Sequence, residues 1–124
     1  MAQEKNKILN VQPHSDEAEK ALLGSMLSSG RAVNKAFEKK LTSEHFYKSA
    51  HSLIFSAMAK LNKDNEPIDT VSVVDSLTKS KVLDKAGGAY YVSGLIEVVP
   101  TTAHVDRYIK IVMEKSVLRN LIYF

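Results

Sequence analysis

Four histidines are the first residues of this 124-residue chain that could perform chemistry, as metal ligands or as acid–base groups. A zinc site on a helix needs two histidines four residues apart, and the nearest pair here, His45 and His51, does not have that spacing. The other two are His14 and His104. The sequence contains no cysteine, which excludes disulfides and thiolate metal ligands. We therefore predict that the histidines lie at the edges of helices and bind no metal.

Three carboxylates stand close together at Asp16, Glu17 and Glu19, and paired carboxylates can serve in acid–base catalysis. They follow Ser15, a residue type that commonly caps helices. Acidic side chains in a first turn are stabilised by the positive end of the helix dipole. We interpret this cluster as the first turn of a helix, without a catalytic role.

The sequence shows no phosphate-binding loop. A P-loop needs a glycine, four residues and then Gly-Lys-Ser/Thr, and none of the five glycines begins that spacing. Gly87-Gly88 lacks the apolar strand that precedes a dinucleotide-binding loop, so this pair indicates a turn. We assign no catalytic, cofactor-binding or metal-binding residues, and we do not expect this chain to be an enzyme by itself.

The charge favours nucleic-acid binding only weakly. The 17 basic and 14 acidic residues are intermixed and leave a net charge of +3, whereas phosphate binding depends on several clustered cations. Tyr90 and Tyr91 do not alternate with basic residues as a base-stacking surface would, so we assign them to the core and its edge. A role in binding or assembly is the remaining prediction.

The elements that must position these residues are helices, and the segment Lys48–Lys63 is the one around which we expect the fold to be organised. Its apolar residues recur at helical spacing, uninterrupted by Pro or Gly, and cover roughly 140° of one face. So wide a face is typical of a helix that packs against several others. The residues are Ala50, Leu53, Ile54, Ala57, Met58 and Leu61.

Two helices are predicted before this segment. The first begins after Ser15 or Asp16, ends near Ser28, and is apolar over roughly 240° of its circumference. Gly24 in its middle indicates the close approach of another helix. The second covers Ala32–Lys40 and turns Val33, Ala36 and Phe37 inward.

Two further helices are predicted after it. Asp69 or Thr70 begins a helix that ends at Lys79, although the alternation in residues 71–73 would also suit a strand. The other covers Ala89–Val98. The predicted inward residues are Val71, Val74 and Leu77 in the first, and Tyr90 or Tyr91, Leu95 and Val98 in the second.

The last helix is predicted from Ala103 to the chain end, after Pro100 and a cap at Thr101 or Thr102. Val105, Tyr108, Ile109 and Val112 form its inward face. Its later apolar residues lie on the far side, so either the helix breaks near Lys115-Ser116 or its second half contacts something else. We expect a subunit contact there, made by Leu118, Leu121, Ile122, Tyr123 and Phe124.

The predicted fold class is therefore all-α, a compact bundle of about six helices with a last helix truncated at the chain end. Residues 1–12 are polar and weakly patterned, which indicates a flexible arm before a domain of residues 13–124. No secretory signal and no membrane span is recognisable, and the composition permits a cytoplasmic protein.

Several short stretches combine into a larger pattern. They are Pro13-His14-Ser15-Asp16-Glu17-Ala18-Glu19, Leu22-Leu23-Gly24, His51 and Ile54, Pro67-Ile68-Asp69, Leu77, Gly87-Gly88-Ala89-Tyr90-Tyr91, Leu95, Pro100-Thr101-Thr102, Tyr108, Ile111, Val112, Glu114 and Leu118-Arg119. In order and spacing, over about residues 12–124, they resemble the N-terminal domain of bacterial replicative DNA helicases of the DnaB type.

The resemblance implies a helical collar domain that pairs with neighbouring subunits, as a dimer and within a hexameric ring, and docks the primase. It also implies a longer parent protein whose RecA-like motor uses ATP and Mg²⁺ to move along single-stranded DNA, and none of that motor is in this chain. Mixed charges on exposed helix faces would tune the encounter with primase; they are Lys35, Glu38, Lys39, Asp106 and Lys110. The alternatives are a helical nucleic-acid-binding module and a small helical enzyme.

Overall fold

Six α-helices and three 3₁₀ turns form an all-α fold within residues 11–99 and 102–122, the part of the chain that the computed structural model describes. The helices are α1 (Asp16–Ser28), α2 (Gly30–Glu38), α3 (Ser49–Lys63), α4 (Thr70–Lys79), α5 (Gly88–Gly94) and α6 (Val105–Ile122). The 3₁₀ turns are Ser43–His45, Leu95–Val98 and Thr102–His104. The predicted fold class is confirmed, and the strand alternative for residues 71–73 is wrong because they belong to α4.

Some predictions concern residues outside the described ranges. They are residues 1–10 of the arm, the helix stop at Pro100, the cap at Thr101, and the subunit contacts of Tyr123 and Phe124. Within the described ranges, no helix has both the length and the apolar composition that crossing a membrane requires.

Helix α1 lies at the centre of the fold, where the sequence had placed the later helix α3. Nine of the 13 residues of α1 are buried, against five of the 15 in α3. Helices α2, α3 and α6 and the second 3₁₀ turn all pack against α1. The physical reason for this correction is that α1 is apolar around most of its circumference, so it is stable only with neighbours on several sides. Its buried residues are Ala18, Glu19, Ala21, Leu22, Leu23, Gly24, Ser25, Met26 and Leu27.

Gly24 allows the second 3₁₀ turn to approach α1 closely, as the sequence predicted for a neighbouring element. A Cβ atom at this position would collide with the backbone oxygen of Leu95 and would lie 2.5 Å from a methyl carbon of Val99. The absence of a side chain at Gly24 is therefore a packing requirement of this crossing.

Side-chain caps precede α1 and α4 where the sequence predicted. Ser15 caps α1 and Asp69 caps α4, and each accepts a hydrogen bond from the backbone N–H three residues later, at 3.1 and 2.8 Å. Ser29 does the same for α2 at 3.3 Å, so α2 begins at Gly30, earlier than the predicted Ala32. These local hydrogen bonds depend on residues within one turn, which is why the sequence reveals them.

The inward face of α3 includes two residues outside the predicted apolar set, His51 and Phe55, which are 0% and 1% exposed. The Phe55 ring packs against the rings of Phe37 and Phe46, with centroids 5.5 and 5.2 Å apart. Of the predicted set, Ile54, Ala57 and Met58 are buried and Ala50, Leu53 and Leu61 are partly buried.

Helix α4 buries Val73 where the sequence had predicted Val71, which is 78% exposed. Leu77 is buried as predicted, and Val74 is partly buried. Val71 and Val73 lie about 200° apart on a helix, so only one of them can face the core. A helix of 10 residues is too short to show an apolar stripe that would indicate which of the two valines faces the core.

The predicted helix Ala89–Val98 is α5 followed by the second 3₁₀ turn. Leu95 is buried as predicted, but Val92 is buried where Val98 had been expected to be, and Val98 is 44% exposed. Of the two tyrosines, Tyr91 is partly buried and Tyr90 is 91% exposed. Adjacent residues project about 100° apart on a helix, so burial of Tyr91 turns Tyr90 towards solvent.

Helix α6 continues through Lys115 and Ser116, so of the two alternatives the break near these residues is wrong. Val105, Ile109 and Val112 are buried as predicted and Tyr108 is partly buried. Lys35 of α2 forms an ion pair of 3.1 Å with Asp106, which joins α2 to the beginning of α6.

Candidate docking surface on the last helix

A hydrogen-bonded chain of three side chains, Glu19, His51 and Tyr91, joins α1, α3 and α5. A carboxylate oxygen of Glu19 lies 2.7 Å from His51 Nδ1, and the Tyr91 hydroxyl lies 2.6 Å from His51 Nε2. The backbone N–H groups of Tyr47 and Lys48 donate to the same carboxylate at 2.8 and 3.4 Å. The buried acidic side chain thus has a partner on each oxygen, as burial of a carboxylate requires.

The hydrogen-bond partners occupy both nitrogens of the His51 ring. The Glu19 carboxylate accepts, so Nδ1 donates to it, and Nε2 is paired with the Tyr91 hydroxyl, which can donate or accept. Burial, reinforced by the carboxylates of Asp16 and Glu19, raises the pKa of the Tyr91 hydroxyl above its ordinary value of 10.0. The hydroxyl therefore keeps its proton at neutral pH and remains available as a donor.

The order carboxylate, imidazole, hydroxyl is the one used to activate a nucleophile. Here the side chains of Glu19 and His51 are 2% and 0% exposed, and both carboxylate oxygens and both ring nitrogens have hydrogen-bond partners within the domain. We interpret the chain as a structural connection between three helices. One feature of the sequence indicated that His51 is buried: it is in helical register with the apolar residues Ile54 and Met58 of α3.

Of the other histidines, His14 and His45 have partners within the domain. His45 Nδ1 accepts a hydrogen bond from the backbone N–H of Thr42 at 2.9 Å, and the His14 ring stacks on the Tyr47 ring with centroids 4.1 Å apart. His104 lies in the third 3₁₀ turn and is exposed. The part of the chain that the structure describes contains no group of His, Cys, Asp or Glu side chains placed to hold a metal ion.

The second half of α6 presents apolar side chains to solvent. Val117, Leu118 and Leu121 are 57%, 44% and 66% exposed. Their spacing places them on one side of the helix. A cluster of large exposed aliphatic side chains is unusual on a soluble domain and indicates a binding surface.

A groove of about 750 Å³ runs along this side of α6. Apolar side chains of α6 form its floor, and charged side chains of both signs form its rim together with Lys39 at the end of α2. The floor residues are Ile109, Met113, Val117 and Leu118, and the rim residues are Lys39, Asp106, Lys110 and Glu114. We call this groove, together with the adjacent Leu121, the α6 surface.

The structure places two of the five predicted contact residues, Leu118 and Leu121, on the α6 surface. Of the others, Ile122 ends the helix, and Tyr123 and Phe124 lie outside the described residues. Met113 and Val117 were not in the predicted contact set. Val117 lies on the far side of the helical wheel, which was a signal for it, whereas Met113 lies about 80° from Val105 and gave no such signal.

A second exposed apolar area lies between α4 and α5. Val71 and Tyr90 are its most exposed residues, and they line a groove of about 600 Å³. Neither residue belongs to the predicted contact set.

Comparison with known proteins identifies a family of similar sequences. The model of the DnaB-like helicase N-terminal domain matches residues 11–114. The replicative DNA helicase DnaB of Geobacillus stearothermophilus is 45% identical over 112 residues, which are 90% of this chain and 24% of that protein. The chain therefore spans about a quarter of the length of the curated relatives it matches.

Solved structures show the same fold. The crystal structure of the N-terminal domain of DnaB helicase from Mycobacterium tuberculosis superposes with a TM-score of 0.87 at 37% identity, covering 91% of this chain and 80% of that one. A structure of a DnaB-like replicative helicase and its interactions with primase has a TM-score of 0.78 at 27% identity, covering 88% of this chain and 25% of that one.

Proposed function

The chain belongs to the family of DnaB-like helicase N-terminal domains, and we propose that it acts as the collar domain of a replicative DNA helicase, which pairs with neighbouring subunits and docks the primase. The α6 surface carries this proposal, because exposed aliphatic side chains on a helix are stabilised when a second protein covers them. The primase is proposed as a partner because a structural neighbour of 27% identity is a helicase described with its primase interactions.

The charges that we expect to tune the encounter with primase lie around the α6 surface. Lys39, Asp106 and Lys110 form part of its rim, and Lys35 pairs with Asp106. Glu38 is exposed at the end of α2. Charges at a rim change the rate of association more than its strength, so binding should be faster at low salt.

The remaining properties that we propose for the parent protein are those that the resemblance to DnaB-type helicases implies. We propose a hexameric ring in the cytoplasm that moves along single-stranded DNA, with ATP and Mg²⁺ bound by a motor outside this chain. The alternative functions, a nucleic-acid-binding module and a small enzyme, are tested in the experiments below.

Sedimentation velocity over a range of concentrations tests subunit pairing. We expect the mean mass of the wild-type chain to rise with concentration and Leu121→Glu to weaken association by about tenfold or more, since it places a charge in an apolar contact. Val71→Glu is the matched control, because it makes the same change at a residue that is 78% exposed on α4. A strict monomer at high concentration, or equal effects of the two variants, contradicts the proposal.

Titration of the labelled chain with the C-terminal region of the cognate primase, and separately with single-stranded DNA, tests the partner. Saturable primase binding that is faster at low salt supports the collar function. Tight DNA binding without detectable primase binding, also when the domain is assembled in the full-length ring, would show that the nucleic-acid-binding alternative is correct.

A further inference from the structure

The two halves of α6 are attached to the domain by different chemistry. One inward seam runs along the helix with spacings of four and three residues, through Val105, Ile109, Val112, Ser116 and Arg119. The first three residues belong to the hydrophobic core. The last two are polar, and they are 7% and 8% exposed. The second half of α6 therefore turns Ser116 and Arg119 inward, whereas an ordinary surface helix turns apolar residues towards the core.

Arg119 supplies specific contacts between this second half and the rest of the domain. Its Nη1 donates to the backbone carbonyl of Pro13 at 2.9 Å, and its Nη2 donates to that of His45 at 2.8 Å. The guanidinium carbon lies 5.6 Å from the centroid of the Tyr47 ring, which in turn stacks on His14. One side chain thus joins α6 to the segment before α1 and to the first 3₁₀ turn.

The geometry of these contacts is specific to arginine. The planar guanidinium directs two N–H groups towards two separate carbonyls while its carbon lies over an aromatic ring. A lysine ammonium is a compact point charge and cannot reproduce both contacts with the same orientation. Ser116, the other buried residue, has a small side chain and contributes little apolar contact area.

We propose that Arg119 is a positioning residue of the docking surface: its contacts with Pro13, His45 and Tyr47 hold the second half of α6 on the domain and thereby direct Val117, Leu118 and Leu121 outward. Without these contacts, residues 116–122 detach from the domain body while the first half of α6 stays packed through Val105, Ile109 and Val112. The consequence for subunit pairing rests on the proposed function, whereas the attachment of the helix does not.

Hydrogen–deuterium exchange of the whole chain tests the attachment. In Arg119→Ala we expect amide exchange in residues 116–122 to accelerate by about tenfold or more, the scale expected for loss of hydrogen bonds from a charged group. Residues 105–112 should exchange as in the wild type. Arg107→Ala is the matched control, because Arg107 is exposed on the same helix. Equal exchange in the two variants, or acceleration spread evenly along α6, overturns the proposal.

Arg119→Lys provides a second variant that retains the positive charge. We expect it to accelerate exchange in residues 116–122 as well, because it loses the two-carbonyl geometry. Exchange unchanged from the wild type in this variant would show that charge alone holds the helix and would overturn the assignment of the role to the guanidinium.

A double-mutant cycle on self-association tests the positioning role. If Arg119 acts by orienting Leu121, Leu121→Glu should weaken pairing by about tenfold or more in the wild type and by clearly less in Arg119→Lys. Purely additive effects would overturn the positioning role even if exchange responds as expected. Failure of Leu121→Glu to affect pairing in the wild-type background contradicts the proposed function instead, so the two failures are distinguishable.

Discussion

At the scale of residues, the polar side chains of this domain connect elements that are distant in sequence. Glu19 is an acidic first-turn residue of α1, as predicted, but it also accepts hydrogen bonds from Tyr47 and His51. Tyr91 completes the chain from α5. Each side chain satisfies the hydrogen bond of a polar group that would otherwise be costly to bury. Removal of one side chain should therefore leave a buried polar group of its neighbour without a partner.

Replacement of Tyr91 by Phe tests this connection. We expect a loss of about 1–3 kcal/mol in the free energy of unfolding, because His51 Nε2 loses its partner in the core. The neighbouring Tyr90→Phe is the control and should change stability by less than about 0.5 kcal/mol, since Tyr90 is 91% exposed. Urea unfolding at neutral pH measures both. Similar values for the two variants would contradict the connecting role of Tyr91.

The pH dependence of stability provides a separate prediction for Tyr91. Its pKa is raised in the folded state, so the folded chain holds this proton more tightly than the unfolded chain, whose tyrosine has the ordinary pKa of 10.0. The resulting contribution is fully present below pH 10.0 and is lost as the pH rises through the folded-state pKa. Above pH 10.0, wild-type stability should therefore fall more steeply than that of Tyr91→Phe. Parallel curves in urea unfolding would contradict this expectation.

At the scale of elements, close crossings depend on the absence of a side chain as much as on apolar contacts. The second 3₁₀ turn packs against α1 at Gly24, where the backbone oxygen of Leu95 occupies the space of a Cβ atom. Gly94, at the end of α5, has helical backbone angles and no atom within 4 Å of its Cβ position. The two glycines should therefore respond to the same substitution with opposite signs.

Gly24→Ala should destabilise the domain, because the new methyl group meets backbone and forces α1 and the 3₁₀ turn apart at a cost of about 3 kcal/mol. This cost exceeds the gain in helix propensity, which is about 1 kcal/mol. Gly94→Ala should be neutral or stabilise by up to about 1 kcal/mol. Thermal unfolding followed by circular dichroism compares the two, and a stable Gly24→Ala variant would show that the crossing is less tight than described.

At the scale of the whole molecule, the domain combines a well-filled core with one face of α6 that its own described residues leave exposed. Among the described residues, α1 and its neighbours bury the core, whereas Val117, Leu118 and Leu121 remain exposed. This division is consistent with a collar whose function is assembly.

ATP turnover by the purified chain tests whether the domain has an enzymatic activity of its own. We expect none above background, because the sequence has no glycine in P-loop spacing. A phosphate-release assay with and without single-stranded DNA measures it, and a preparation without the chain is the control. Turnover that increases in proportion to chain concentration would establish the enzyme alternative.

The sequence by itself determined the helical class, the family, and the caps of α1 and α4 to within one residue, as Ser15 or Asp16 and as Asp69 or Thr70. Helix caps and apolar periodicity depend on residues within a turn or two of each other, so they can be recognised in the sequence without knowledge of the fold. The outward apolar face of α6 could also be recognised in the sequence, because helical periodicity separates Leu118 and Leu121 from the inward seam.

Only the tertiary structure decided which neighbour each face meets. It placed α1 at the centre, chose Val73 over Val71 in α4, and brought His51 to partners 32 and 40 residues away in the sequence. It also gave Arg119 contacts with Pro13 and His45, which are 106 and 74 residues distant. Such contacts depend on how whole helices are placed relative to one another, and the spacing of residues within a single helix carries no information about that placement.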